Sequence, residues 1–144
     1  MDGDMEILVA AVFLHDIGRH YGLEFHGPES EKHAKKVLEK IGFPEEKRGV
    51  VLRAIRTHDY QTNPAERGSL EAKILYDADK LDAFGDIGIK RFTQKYLVEK
   101  NAKMGVPEIL ESIDRRWETL MLPETKELAK DDYIGIKKHF EAVI

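Results

Sequence analysis

The feature that most constrains this chain is an apolar stretch, Leu8 to Gly22, which contains an adjacent histidine and aspartate. Counting back from His15 by three, four and seven positions reaches Val12, Ala11 and Leu8. This is the spacing of one face of a helix, so we expect the imidazole of His15 to point inward. Because burying an ionised carboxylate is costly without a compensating cation, the neighbouring Asp16 indicates a divalent ion.

Two further segments place an ionisable residue behind apolar positions at helical spacing. His58 follows Val51, Ala54 and Ile55, and Asp79 follows Ala72, Leu75 and Tyr76. His26 stands just before Gly27-Pro28, a typical helix start. The candidate metal ligands are therefore His15, Asp16, His26, His58 and Asp79. Their nitrogen and oxygen atoms suit Mn, Fe, Co, Ni, Zn or Mg, although each residue could instead be a hydrogen-bonded core group.

Helical periodicity dominates the sequence and predicts an all-α fold. We expect the first helix to begin near Met5, with Asp2 or Asp4 as its N-cap. The other expected helices run from Pro28 to Ile41, over 45–58, from Ser69, from after Gly85 to about Lys103, from Glu108, and over 124–143. No stretch longer than about five residues alternates as a strand would. The length of 144 residues fits one domain with a sizeable core, so we expect a single domain over 1–144.

Composition excludes several kinds of site and partner. The chain has no cysteine, which excludes disulfides, thiolate ligands and a cysteine nucleophile. Its net charge of −4 argues against duplex nucleic acid as a partner. The longest apolar run, Ile7 to Leu14, is too short to cross a membrane and no basic signal segment precedes it. We therefore expect a cytoplasmic protein with no membrane partner.

Other titratable residues receive ordinary interpretations. We expect His20 and His33 to be solvated or to lie behind the ligands, and His139 to be exposed. Asp59 and Asp77 are interpreted as residues that cap helices or orient imidazoles, and Asp82 as an acid behind Asp79.

Four segments of the sequence resemble the HD-domain metal-dependent phosphohydrolases. They are FLHDIGRH (Phe13 to His20), HGPES (His26 to Ser30), AIRTHD (Ala54 to Asp59) and AKILYDADKLDAFGDIGIKR (Ala72 to Arg91). The segments follow the family's order within a motif-bearing part, 8–91, whereas the helical part 92–144 adds no motif. The resemblance implies an HD-domain-like helical bundle.

The resemblance also implies roles for the candidate ligands. His15 and Asp16 would be the namesake ligands, with Asp16 able to bridge two ions, and Asp79 would be the closing carboxylate. His26 and His58 match the two additional histidines of members with a binuclear centre. The site would hold one or two divalent metal ions.

The implied activity is hydrolysis of a phosphomonoester or phosphodiester by metal-activated water, in which Asp16 is also a catalytic residue. Arg19 and Lys80 are the nearest cations that could neutralise the phosphoryl oxygens. The substrate would be a nucleotide or another small phosphorylated metabolite.

The sequence departs from the family pattern at its start. The family takes its first histidine from a helix upstream of the HD pair, whereas the fourteen residues before His15 contain none. We therefore expect the first family helix to be missing and Val9, Val12 and Phe13 to form an exposed patch that favours a homo-oligomer. The alternative function is a non-catalytic regulatory or interaction domain with an incomplete metal site.

Overall fold

The computed structural model describes residues 2–99 and 105–143, which contain seven α-helices and no β-strand. The helices are α1 (Met5–Leu14), α2 (Gly27–Lys40), α3 (Glu45–Arg56), α4 (Leu70–Leu81), α5 (Gly85–Phe92), α6 (Val106–Glu118) and α7 (Pro123–Glu141). Short 3₁₀ turns occur at Arg19–Tyr21 and Pro64–Glu66. The predicted all-α fold is confirmed.

The chain divides into two compact units, Met1–Tyr76 and Asp77–Ile144. The predicted single domain over 1–144 stays a prediction. None of the described helices combines the length and the apolar character needed to cross a bilayer.

The first unit has a core built from one face of each of its helices. Asp4 starts α1, since its Oδ1 accepts hydrogen bonds from the amides of Glu6 at 2.9 Å and Ile7 at 3.3 Å. Of the two predicted N-caps, Asp4 is the one used. The buried core residues of this unit are Ile7, Ala11, Ala34, Leu38, Val51, Ala54, Ile55, Ala72 and Leu75.

The buried face of α1 differs from the predicted one. Ile7 and Ala11 are buried, whereas Val12, which the helical spacing placed on the inward face but which was also expected in the exposed patch with Val9 and Phe13, is 51% exposed. Val9 and Phe13 are also exposed, Phe13 to 82%. Val9 and Phe13, together with the end of α2, line an apolar groove of about 550 Å³. Periodicity located an apolar stripe, but only the packing of α2 and α3 selects which edge is covered.

Helix α3 ends at Arg56, two residues before the predicted end. The Oγ1 atom of Thr57 donates a hydrogen bond to the carbonyl oxygen of Arg53 at 2.8 Å, an interaction that competes with continued helix. His58 therefore follows the helix instead of forming its last turn, and it remains buried.

The second unit has its own core, formed by α5, α6 and α7. The predicted helix after Gly85 is α5 followed by a π-helical segment, Thr93–Val98; its predicted end, 100–103, lies outside the described residues. In this core the rings of Trp117 and Tyr133 stack with centroids 4.3 Å apart. Its buried residues are Phe84, Phe92, Ile109, Ile113, Leu120, Ala129, Ile136 and Phe140.

Candidate metal centre

Three segments of the first unit meet at one point: the turn after α1, the residue before α2 and the residue after Thr57. Two glycines permit this approach. A Cβ atom on Gly18 would lie 2.6 Å from the backbone nitrogen of Ser30, and one on Gly27 would lie 2.3 Å from the carbonyl oxygen of Arg56. Since any side chain would force these backbones apart, both glycines are required for the segments to converge.

The convergence brings one atom each from Asp16, His26 and His58 together. Oδ1 of Asp16 lies 2.7 Å from Nε2 of His26 and 3.6 Å from Nε2 of His58. The two imidazole Nε2 atoms are 3.1 Å apart. Among the described residues these three side chains form the group that could hold a metal ion, with all three ligand atoms within 4.8 Å of one another.

Hydrogen bonds determine which nitrogen of His58 is available to a metal. Its Nδ1 lies 2.5 Å from the carbonyl oxygen of Ile55, and a carbonyl only accepts, so Nδ1 carries the proton and donates. In the neutral ring the lone pair is then on Nε2, the atom that faces His26 and Asp16. The end of α3 therefore presents His58 in the tautomer that binds a metal through Nε2.

The carboxylate of Asp16 has a different environment on each oxygen. Oδ1 faces the two imidazoles, whereas Oδ2 lies 3.2 Å from the guanidinium of Arg19. The neighbouring imidazoles, His58 first and then His26, outweigh the effect of burial and hold the pKa of Asp16 far below its usual value. Asp16 is therefore ionised at neutral pH and offers a negative oxygen to a cation.

His15 lies beside this group. Its Nδ1 donates to the carbonyl oxygen of Val12 at 2.7 Å, and its Nε2 is 3.7 Å from Oδ2 of Asp16. The rings of His15 and His58 meet edge to face with centroids 5.1 Å apart. The structure thus places the predicted ligand His15 next to the three converging atoms, on the side of Asp16 that faces Arg19.

Asp79 and Lys80 belong to the second unit. There the Nζ atom of Lys80 donates to Oδ2 of Asp79 at 2.6 Å. The predicted roles of Asp79 as a ligand and of Lys80 as a phosphate-neutralising cation stay predictions.

Asp59 supports the converging segments, in line with its interpretation as a capping and orienting residue. Its Oδ2 accepts a hydrogen bond from the amide of Gly27 at 2.7 Å, at the start of α2. Its Oδ1 lies 3.7 Å from Nδ1 of His26 and 3.8 Å from Nε2 of His58. Asp59 therefore ties the histidine before α2 to the histidine after α3.

Sequence reasoning missed two supporting residues. The hydroxyl of Ser30 accepts a hydrogen bond from the amide of Gly18 at 2.9 Å, which fixes the turn that carries Asp16. Arg67 is buried and donates to the backbone on both sides of His58. An arginine in the polar loop 59–68 gives no periodic signal, so nothing in the sequence distinguished Arg67 from a solvated side chain.

The remaining histidines lie outside the converging group. Nε2 of His33 is 3.0 Å from Oε1 of Glu29, and its ring stacks on Tyr21 at 5.1 Å. Nδ1 of His20 donates to the carbonyl of Ile17 at 2.9 Å. His139 is exposed on α7, as expected.

An all-helical fold whose helix ends bring together two imidazoles and an ionised carboxylate defines a class of candidate divalent-metal proteins. The HD domain family matches residues 1–83, more than half of the chain, and the chain belongs to this family. No curated protein matches the sequence.

Proposed function

We propose that this protein is a metal-dependent phosphohydrolase that cleaves a phosphomonoester or phosphodiester by means of metal-activated water. The observation that carries the proposal is the convergence of Oδ1 of Asp16 with the Nε2 atoms of His26 and His58. Membership of the HD domain family supports the hydrolase class, because this family consists in general of metal-dependent hydrolases.

The converging residues fit a divalent transition metal. Ligand atoms bound to one ion at about 2.1 Å stand roughly 3.0 to 3.4 Å apart, and the three separations here are 2.7, 3.1 and 3.6 Å. Two imidazole nitrogens with one carboxylate oxygen favour Mn, Fe, Co, Ni or Zn over a purely oxygen-seeking ion. His15 and Asp79 are the further ligands that we propose for a second ion or for a completed site.

Each side chain at the centre has a distinct task in the proposed reaction. Asp16, His26 and His58 would hold the cation, which would supply a coordinated water with its pKa lowered from 15.7 to about 7 and a positive charge for the phosphoryl oxygens. Arg19 is 66% exposed at its side chain and lies against Oδ2 of Asp16, so its guanidinium can reach solvent and bind a phosphoryl oxygen. Lys80 is proposed as the second cation.

The proposed substrate is a small phosphorylated compound, such as a nucleotide, because the positive charge at the exposed edge of the site comes from a single side chain. Arg19 is the exposed cation next to Asp16, and a phosphate group is the anion that a guanidinium binds through two parallel hydrogen bonds.

The test compares the wild-type chain with Asp16→Asn in metal binding and in hydrolysis. We expect the wild type to bind Co²⁺ or Mn²⁺ by calorimetry and to hydrolyse p-nitrophenyl phosphate or its diester with Mn²⁺ or Ni²⁺ added. Loss of the negative charge of Asp16 should lower metal affinity by more than about 100-fold with helical content unchanged. Asp131→Asn, which alters an exposed aspartate on α7, is the matched control.

The second candidate function is the non-catalytic domain with an incomplete site. The observation that favours it is that three of the five predicted ligands, Asp16, His26 and His58, form the compact group among the described residues. A wild-type chain that binds neither ion and hydrolyses neither aryl phosphate would contradict the enzyme proposal and support this second function.

A further inference from the structure

Arg67 is a charged side chain with only 2% of its surface exposed. Burying a guanidinium is costly unless its N–H groups meet acceptors, so the positions of those acceptors show what the residue does. Its Nε donates to the carbonyl oxygen of Thr57 at 2.6 Å, and one terminal nitrogen donates to the carbonyl oxygen of Asp59 at 2.6 Å. Arg67 thus holds the residue before His58 and the residue after it.

Two further contacts fix the guanidinium itself. The same terminal nitrogen lies 3.3 Å from the carbonyl oxygen of Thr62, and the guanidinium carbon sits 3.7 Å above the ring of Tyr76. Tyr76 is 1% exposed and belongs to α4, so the plane of the guanidinium rests on a rigid helix. The segment 57–62, which has no helix of its own, takes its position from α4 through Arg67.

The carbonyls that Arg67 binds determine the direction of His58. The carbonyl of Thr57 lies in the peptide plane that precedes His58, and the carbonyl of Asp59 lies in the peptide plane that follows Asp59, so one planar donor holds the backbone on both sides of His58. The orientation is completed by the hydrogen bond from Nδ1 of His58 to Ile55. Together these contacts aim Nε2 of His58 at Asp16.

We propose that Arg67 is a positioning residue for the metal centre: by holding the carbonyls of Thr57 and Asp59, it keeps His58 aimed at the bound ion. The inference rests on the proposed function for the existence of the ion. Arg67, a residue of the loop 59–68, would thus support the metal site through its contacts with the backbone and without binding the metal.

The test replaces the planar guanidinium of Arg67 with the ammonium group of lysine. Arg67→Lys keeps the charge but cannot bind two separated carbonyls in one plane, so we expect Co²⁺ affinity to fall about 10- to 100-fold. The visible absorption band of bound Co²⁺ should also shift, because the direction of one imidazole changes. Arg56→Lys is the matched control, since it alters an exposed arginine two residues before His58 and should change neither readout.

The outcomes separate this inference from the proposed function. If the wild type binds no Co²⁺, the metal site itself is refuted. If the wild type binds and Arg67→Lys binds with equal affinity and an unchanged spectrum, the role of Arg67 is refuted. Arg67→Gln is the second variant, and unfolding of both variants by circular dichroism would show that Arg67 holds the fold rather than the orientation of His58.

Discussion

The two units of this protein use an aspartate in opposite ways. In the first unit Oδ1 of Asp16 faces two imidazole nitrogens. In the second unit the buried carboxylate of Asp77 accepts hydrogen bonds from the amides of Met121 at 2.8 Å and Leu122 at 2.9 Å. Asp16 follows the end of α1 and Asp77 lies within α4, and the donors of Asp77 are backbone groups that the fold needs to satisfy.

The comparison shows how a structural carboxylate differs from one suited to bind a ligand. Three atoms that can each bear a lone pair meet at Asp16, His26 and His58, and a proton or a cation must lie among them to make their closeness favourable. Asp77 needs no such addition, because two N–H groups already point at it. Removing an acid should therefore reduce binding in the first unit and stability in the second.

Asp77→Ala should produce the largest loss of stability among the substitutions considered for the second unit. The change leaves two amides of the α6–α7 connection without their acceptor, which costs about 2 to 4 kcal/mol. Urea denaturation followed by the fluorescence of Trp117 measures this effect, since the chain has one tryptophan and it lies in the second unit.

Asp82→Ala is the matched control for that experiment. Asp82 is 60% exposed at its side chain and pairs with Arg91 at the surface, so its loss should cost less than about 0.5 kcal/mol. Equal destabilisation by the two substitutions would contradict the structural role given to Asp77.

Asp114→Asn should lower the free energy of unfolding by a smaller amount, and this amount should depend on pH. Burial raises the pKa of Asp114, but hydrogen bonds from Lys137 and Tyr133 outweigh it and leave the pKa below the ordinary value of 3.8. A lowered folded-state pKa means that the stabilisation is complete above pH 3.8 and is lost as the pH falls through the folded-state value. We expect a difference of about 0.5 to 1 kcal/mol at pH 7, allowing for solvent screening.

The check is a series of urea denaturations of the wild type and Asp114→Asn between pH 7 and pH 3. The difference in the free energy of unfolding should shrink toward the acid end. Asp131→Asn, on the exposed face of α7, should show no such trend. A difference that stays constant with pH would mean that the charge of Asp114 contributes nothing.

Helix positions could be predicted from the sequence because they depend on local rules. The cap at Asp4 and the helix after Gly27-Pro28 were both predicted and are confirmed. Apolar spacing also identified His58 as buried, although α3 ends before it. These features require only neighbours along the chain.

Features that depend on distant partners could not be predicted. On α4 the spacing selected Asp79 as the inward acid, but Asp77 is the residue that is 1% exposed, because the connection after α6 brings amides to it. The role of Arg67 depends on where the carbonyls of a loop lie.

The smallest effect on stability is expected for Phe13→Ser, which tests the groove on α1. Phe13 is 82% exposed, so its removal should change the free energy of unfolding by less than about 0.5 kcal/mol. The same change should lower the fluorescence of an apolar dye bound to the folded protein, because the ring lines the groove. Light scattering on the wild type and Phe13→Ser tests the predicted homo-oligomer.

Leu128→Ser, at a 75% exposed position on α7, is the control for dye binding. An equal loss of dye binding in Leu128→Ser would contradict a site on α1, since scattered exposed residues would then account for the signal.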